Sequence, residues 1–466
     1  MLPSDSDSDD QGEQVRVSLK LAASVQDRSL EVPTEPIAVP ADIGRKGLAA
    51  VLNHLLGRSV VKDGATSDSE DEDEDEDKLP PLNFEFVVAS TNKLLRKGVE
   101  KEARQHGLSL EQAITITYFP ATSAPDLADE QEELPDWISC LSYNQDTLLA
   151  GCYDGSLHLY KQKNGQLEKE NGTLVSSGPV KCLATVVKDE TMWIAAASLD
   201  HSLQILNYSK DTTLQTYGQC IQEGTSCAIT SLDFASSSTR LASGDGNGTV
   251  CIWDVKNVNE SVKPTKKVKT NQGTKSHQSI TPQISMESAH SQLVSGLSWG
   301  NHSTDNQTHL ISGSWDHSIK LWDVEAQDCL LTLNGARVVS CLDTSYHSEG
   351  VVATGHPDCT IRLWDVRTNN TKQSSLISDN TFRPSHKEWV SSVNWSKSNA
   401  YHLASTSHDG TIKMWDIRSS VPLHTVRAFP KEEKALCLAW ESSTTSESTG
   451  VMFAGGTDCI LKQLRL

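Results

Sequence analysis

Two hydrophobic rhythms follow one another along this chain. From Gln14 to Leu21 (QVRVSLKL) apolar and polar residues alternate with period two, as in a half-buried strand. LNFEFVV (Leu82 to Val88) and ITITYFP (Ile114 to Pro120) alternate in the same way, and LEVPTEPIAVP (Leu30 to Pro40) reads as a further extended piece. Between them, GLAAVLNHLLG (Gly47 to Gly57) places Leu48, Val51, Leu52, Leu55 and Leu56 on one stripe of a short helix, with Gly57 as its stop. A polar connection, LLRKGVEKEARQHGLSLEQA, supplies a second short helix before the last of these strands. The order strand, strand, helix, strand, connection, strand predicts a small domain over residues 14–120.

From Trp137 onward one phrase recurs. At its clearest it is SGSWDHSIKLWD, Ser312 to Asp323: an Asp, a turn residue, a Ser or Thr, then an alternating run ending in Trp-Asp. It returns as DCTIRLWD from Asp358, DGTIKMWD from Asp409 and NGTVCIWD from Asn247, and in worn form from Asp154, Asp200 and Asp458. The seven anchors are spaced by 46, 47, 69, 42, 51 and 49 residues. A period of about 40 to 50 residues with this ending predicts a ring of four-stranded sheets.

Each part of the phrase has a physical reason. The Asp side chain accepts hydrogen bonds from backbone N–H groups of its own turn. The Trp is a large apolar anchor with one N–H donor. Two sheets carry a full polar set, His290 with Asp316 and Trp322, and His386 with Asp409 and Trp415. In the fifth sheet Asp358 and Trp364 are present, but Ala336 stands near the place of the His. The chain stops eight residues past Asp458, which leaves room for a third strand of the last sheet and none for a fourth. The missing strand is expected from the linker 121–136, which would close a ring spanning 137–466.

Charge changes this picture only locally. The net charge is −20, but fifteen of the acids lie in the tail 1–13 and in a loop over 63–78, and without these fifteen the balance is −5. The tail is expected to be disordered and the loop to be solvated and self-repelling. The long fourth step holds an insertion over 256–288, read as a flexible loop. Within it Lys263, Lys266, Lys267 and Lys269 form a compact basic cluster. An import receptor could read it as a nuclear signal, and the bland alternative is a solvated charge run. Eleven dispersed Cys without a CxxC pair suit a reducing compartment, with no disulfide partner expected. No apolar run is long enough to span a membrane. P-loop, GxSxG, HExxH and paired Cys/His spacings are missing, so no enzyme activity, catalytic residue, metal or cofactor is expected. His290 and His386 read as structural residues of their sheets.

The repeated phrase resembles the WD-repeat family, and the two-part order resembles one branch of it. The expected fold is mainly β, a seven-bladed WD-repeat β-propeller preceded by a ubiquitin-like β-grasp (NLE) domain. That combination is similar to the WD-repeat protein 12 family, called Ytm in yeast. The resemblance implies a non-catalytic assembly factor of the pre-60S ribosomal particle, in the nucleolus and nucleoplasm. Its propeller would bind a Bop/Erb homologue, which also holds a Pescadillo homologue, for large-subunit rRNA maturation. Its NLE domain would be gripped by the AAA ATPase midasin (Rea), whose metal site takes an acidic side chain in trans. The family's G-L-S-x-E segment corresponds to Gly107-Leu108-Ser109-Leu110-Glu111 here, which makes Glu111 the candidate for that contact. One alternative is a Notchless-type factor, which has eight blades. Another is a cullin ubiquitin-ligase substrate receptor. It would use Trp364-Asp365-Val366-Arg367 and Trp415-Asp416-Ile417-Arg418, tetrapeptides in which Arg can equally pair with a neighbouring carboxylate.

Overall fold

The computed structural model describes residues 14–58, 80–128, 132–163, 165–209, 212–220, 227–235, 240–255, 278–300, 309–348, 350–367, 385–440 and 450–466. The acidic tail, the acidic loop and the four lysines of the basic cluster lie outside these residues. The chain divides into two units, Met1–Ser123 and Ala124–Leu466.

The first unit contains β1 (Gln14–Leu21), β2 (Ile37–Pro40), α1 (Arg45–Leu55), β3 (Phe84–Val88), β4 (Lys93–Leu94), α2 (Val99–Gln105) and β5 (Ile114–Pro120). Its sheet has the order β2-β1-β5-β3-β4, with β1 and β5 parallel and the other pairs antiparallel. This is the β-grasp order. Val15, Val17 and Leu19 of β1 face the same core as Ile114, Ile116 and Tyr118 of β5, as period two requires. Leu48 and Leu52 of α1 cover them.

The helix departs from its expected bounds. It starts at Arg45 and ends at Leu55, and Leu55 is 42 % exposed, whereas Asn53 is buried. Asn53 is inside because its amide is satisfied there. Its Nδ2 donates to the Leu82 carbonyl and its Oδ1 accepts the Leu82 N–H, both at 2.9 Å. A polar residue thus ties α1 to the chain entering β3. Gly57, at φ +68°, ends the helix as its N–H bonds to the His54 carbonyl and Arg58 N–H to the Asn53 carbonyl.

The second unit holds seven sheets among the described residues. Their innermost strands are Ile138–Asn144, Val180–Lys188, Ile229–Phe234, Val294–Gly300, Cys341–Thr344, Val390–Trp395 and Ala435–Trp440. Each packs against the next, and the seventh against the first, so the sheets close into a ring. In the seventh sheet the last strand, Ile460–Arg465, pairs on its outer side with Asp126–Leu127 and Glu132–Glu133. Both ends of this unit therefore meet in one sheet.

The insertion is shorter than its sequence suggests. Gln278–Ile280 pairs in parallel with Thr212–Cys220 at the edge of the second sheet, and Ile284–Met286 forms the outer strand of the third. Reading the stretch as loop through Ser288 was wrong for these residues, because three-residue strands are too short to display a period.

Every junction of the ring carries the same kind of bond. A hydroxyl or thiol near the start of one innermost strand donates to a carbonyl at the start of the next. Ser139 reaches Val180, Thr230 reaches Val294 (2.7 Å), Ser295 reaches Val339 (2.6 Å), Ser340 reaches Val390 (2.7 Å) and Ser391 reaches Ala435 (2.8 Å). At the two remaining junctions the corresponding position is Lys181 or Leu436, which cannot make this bond, and the next residue takes over. Cys182 Sγ lies 3.9 Å from the Ile229 carbonyl, and Cys437 Sγ lies 3.5 Å from the Ile138 carbonyl, where the ring closes.

Cys437→Ala should therefore lower stability by about 1 to 2 kcal/mol, counting the lost bond and the small cavity. Cys437→Ser keeps a donor and should recover part of that loss in urea denaturation. A Ser variant no more stable than the Ala variant contradicts the donor role.

Candidate functional site

The polar sets are built on the turn between the second and third strands of each sheet. The residue after the turn anchor has positive φ in all seven sheets: Gly155, His201, Gly248, His317, Cys359, Gly410 and Cys459. Gly155 is required, since a Cβ there would come within 2.3 Å of the Ser176 carbonyl. The aspartates fold back on this turn. Asp316 Oδ1, for example, accepts from the Ser318 N–H at 3.0 Å and the Ser318 hydroxyl at 2.6 Å.

In the fourth sheet His290 Nδ1 bonds to Asp316 Oδ2 at 2.9 Å, and His290 Nε2 bonds to Ser312 Oγ at 2.7 Å. Trp322 Nε1 donates to the same Ser312 oxygen at 2.8 Å. The sixth sheet repeats this with Asp409, His386, Ser405 and Trp415, at 3.3, 2.8 and 2.8 Å. Ser312 and Ser405 are the members that sequence reading missed. Their signal was present, since each lies ten residues before its Trp. The third sheet has Ser243 beneath Trp253 at the same offset.

The fifth sheet makes good its missing His from within. His356, two residues before Asp358, bonds Thr354 Oγ1 through Nε2 (2.8 Å) and the Val338 carbonyl through Nδ1 (2.7 Å). Trp364 Nε1 donates to Thr354 Oγ1 at 2.7 Å. In the third sheet the expected anchor, Asn247, is not the acceptor. Asp245 Oδ1 takes the Asn247 and Thr249 N–H groups instead, at 2.9 and 2.8 Å.

An Asp–His–Ser line has the connectivity of a hydrolase triad, but its environment forbids that chemistry. Ser312 is fully buried and its oxygen is occupied by the Trp322 N–H, so no substrate carbonyl can reach it. Burial pushes the His290 and His386 imidazoles below the usual range, against the pull of Asp316 and Asp409. Burial acts to raise the Asp316 carboxyl, but bonds from Ser318, the Ser291 N–H and His290 outweigh it and hold it at about 2. The line is a fixed relay of hydrogen bonds between a neutral ring and an ionised carboxylate.

The two W-D-x-R arginines are also spent internally. Arg367 Nε and Nη2 grip both oxygens of Asp365 at 2.9 and 2.6 Å, and Arg418 grips Asp416 with the same distances. Arg418 further lies 3.9 Å over the Tyr401 ring. This is the neighbouring-carboxylate role, and it leaves the docking role without support.

Glu111 is placed differently. Two residues past the end of helix α2 stands Gly107, whose φ is +66°; the Gly107 N–H bonds to the Arg104 carbonyl and the Leu108 N–H to the Ala103 carbonyl. Leu108 and Leu110 pack against the core, and Ser109 Oγ accepts the Glu111 N–H at 3.3 Å. The turn is thereby fastened at several points, and Glu111 is left exposed. Among the described residues no cluster of His, Cys, Asp and Glu could hold a metal ion, and no helix is long and apolar enough to cross a membrane.

Residues 17–101 match the NLE (NUC135) domain family, and residues 218–254, 281–323, 327–365 and 379–416 match the WD domain, G-beta repeat. Proteins named ribosome biogenesis protein WDR12 homolog are similar along nearly the whole chain. That of Chlamydomonas reinhardtii is 27 % identical over 93 % of this chain and 94 % of its own. That of Dictyostelium discoideum is 28 % identical over 97 % and 95 %, and that of Arabidopsis thaliana 28 % over 91 % and 92 %. The chain thus carries an NLE domain and WD repeats. The WD matches fall on the sheets that keep a Trp. The first, second and seventh sheets of this NLE-domain WD-repeat protein carry Tyr160, Leu206 and Leu464 there instead. The NLE match ends ten residues before Glu111.

Ser312→Ala leaves buried His290 and Trp322 groups unpaired and should cost about 1 to 3 kcal/mol in chemical denaturation; a change within error contradicts the relay. His356 gives a pH test. Burial, then the Arg362 charge, lower its pKa to about 4, so between the ordinary value of 6.5 and about 4 the unfolded chain binds a proton that the fold refuses. Its contribution should be complete above 6.5 and decline as pH falls. The stability gap between the native chain and His356→Gln should therefore shrink from pH 7 to pH 4.5; a constant gap contradicts the assignment.

Proposed function

We propose that this chain is a non-catalytic assembly factor of ribosome biogenesis that serves the precursor of the large subunit. The observation that carries this reading is similarity over more than nine-tenths of the chain to proteins named for ribosome biogenesis, with both the NLE and WD matches in register. Internal use of the polar residues supports a scaffold: the triad-like groups of the fourth and sixth sheets and the paired arginines of the fifth and sixth are consumed by the fold. In this reading the propeller holds a Bop/Erb homologue and, through it, a Pescadillo homologue. The protein works in the nucleolus and nucleoplasm, and the lysines at 263, 266, 267 and 269 serve import.

The NLE unit is the handle by which a midasin-type AAA ATPase removes the factor from the particle. Glu111 is the residue assigned to that contact. A hard divalent cation with an open position takes a carboxylate oxygen, and a carboxylate on a fastened turn loses little freedom on binding. Core packing of Leu108 and Leu110 and the capped end of α2 support this assignment.

Glu111→Ala should leave thermal unfolding and recovery of the Bop/Erb and Pescadillo homologues unchanged. It should weaken binding to the midasin metal-site domain by at least about tenfold, as expected of a hot-spot contact, and leave the factor trapped on pre-60S particles. Undiminished binding removes Glu111 from the contact. Purification of cullin components in place of ribosomal precursors rejects the wider reading.

A further inference from the structure

The innermost strands of all seven sheets wall a channel of about 920 Å3, and the outermost strands lie at the rim of the ring, away from it. An outermost strand has a free edge, which displays unpaired backbone N–H and C=O groups. Proteins protect such edges by covering them, keeping them short or placing charges on them. Six of the seven sheets show an outer strand among the described residues, and five of these are protected. In the second sheet Gln278–Ile280 covers Thr212–Cys220. In the seventh, the outer position is taken by Asp126–Leu127 and Glu132–Glu133, which are short and mostly acidic. The outer strand of the third sheet, Ile284–Met286, has three residues, and that of the sixth, His424–Arg427, has four and ends in a charge. Gln166–Leu174 in the first sheet is long but carries Glu168, Lys169 and Glu170.

The fourth sheet is the exception. Its outer strand, Asp328–Asn334 (DCLLTLN), pairs with Ser318–Asp323 on its inner side, and no described strand pairs with its outer side. It has seven residues, and its one charged side chain, Asp328, stands at the first position. Cys329, Leu330, Thr332 and Asn334 are exposed, Leu330 by 51 %. A long, uncovered and nearly uncharged edge of this kind is a template for another strand.

The charges at its two ends select which strand. Asp328 is exposed and makes no ion pair among the described residues. Glu325, just upstream, is held by Arg240 of the third sheet. Arg337, three residues past the strand, has a side chain 64 % exposed. Its Nε lies 3.7 Å from Asp358 Oδ2, an oxygen that Arg362 already holds at 2.6 Å. The segment is therefore acidic at its start and basic after its end. Two copies laid antiparallel bring the start of each to the end of the other, so that Asp328 meets Arg337 twice. Parallel addition of a second copy would set Asp328 against Asp328.

We propose that two copies of this chain associate by antiparallel pairing of the strand Asp328–Asn334 with its counterpart, which joins the two fourth sheets into one continuous sheet. A two-fold contact must be self-complementary, and this edge is so in charge as well as in backbone. One strand pair buries much less than the roughly 1,600 Å2 of a standard interface, so the dimer is weak and dissociates in the micromolar range. The contact goes beyond the assembly role and does not depend on which ribosomal partner the propeller carries.

The test is analytical ultracentrifugation of the full chain from about 1 to about 100 µM. A thiol reductant is present, so that Cys329 cannot cross-link two copies. The native chain should show a reversible monomer–dimer equilibrium. Leu330→Lys, which puts a charge on the edge, should weaken it about tenfold or more. Leu174→Lys, on the outer strand of the first sheet, should leave it unchanged. Asp328→Arg and Arg337→Asp should each weaken association, and the double substitution, which restores opposite charges, should bring it back. Unfolding midpoints should stay at the native value, since all four side chains are exposed. A chain that stays monomeric across the range overturns the proposal and leaves the edge to a segment of another protein. A dimer indifferent to Leu330→Lys, or a double substitution no better than the single ones, overturns it equally.

Discussion

The ring depends on a circuit of seven inter-sheet bonds in which a hydroxyl or thiol beside the channel donates to the next innermost strand. A closed sheet arrangement has no spare neighbour. If one junction opens, two innermost strands lose their flanks together. Apolar packing supplies most of the adhesion, since each cluster of buried residues draws side chains from adjacent sheets. Packing alone does not fix the vertical offset of one sheet against the next. The directed bonds do so, and they are satisfied even where Lys181 or Leu436 displaces the usual Ser or Thr.

The second constraint acts within sheets. Fixing a left-handed residue at each turn is unfavourable for His201, His317, Cys359 and Cys459, which lack the freedom of glycine. The turn anchors offset this by collecting backbone N–H groups, and the Trp and Ser pairs extend the network into the core. Because Ser312 and Ser405 are fully buried and their oxygens are taken by the Trp322 and Trp415 N–H groups, no substrate reaches the network. What the fold leaves exposed includes Trp137, Trp315 and Trp389 at one end of the ring and, on the other unit, Glu111 on a fastened turn.

Much of this was legible in the residues because their chemistry is periodic. The anchors at 316, 358 and 409, with Trp322, Trp364 and Trp415, are where the repeated phrase places them. Period two marked β1 and β5, and the chain's short end pointed to a strand borrowed from upstream. Other features were hidden for physical reasons. His356 replaces the missing histidine from a different place in the sheet, so no fixed offset could reveal it. Asp245 does the work of Asn247 from two residues away. Asn53 looks like a solvent-facing helix residue until Leu82 arrives to satisfy it. The exposed tryptophans are indistinguishable in sequence from the buried ones, because exposure is a property of the closed ring.

The central claim is that the well-marked and the worn sheets form one cooperative body. Native-state hydrogen exchange on the full chain reads this directly. Amides of the innermost strands Ile138–Asn144, Val180–Lys188 and Ala435–Trp440 should exchange with the same opening free energy as those of Val294–Gly300 and Val390–Trp395. Opening of the worn sheets at a distinctly lower free energy, with the others still protected, would show that the circuit does not bind the ring into a single unit.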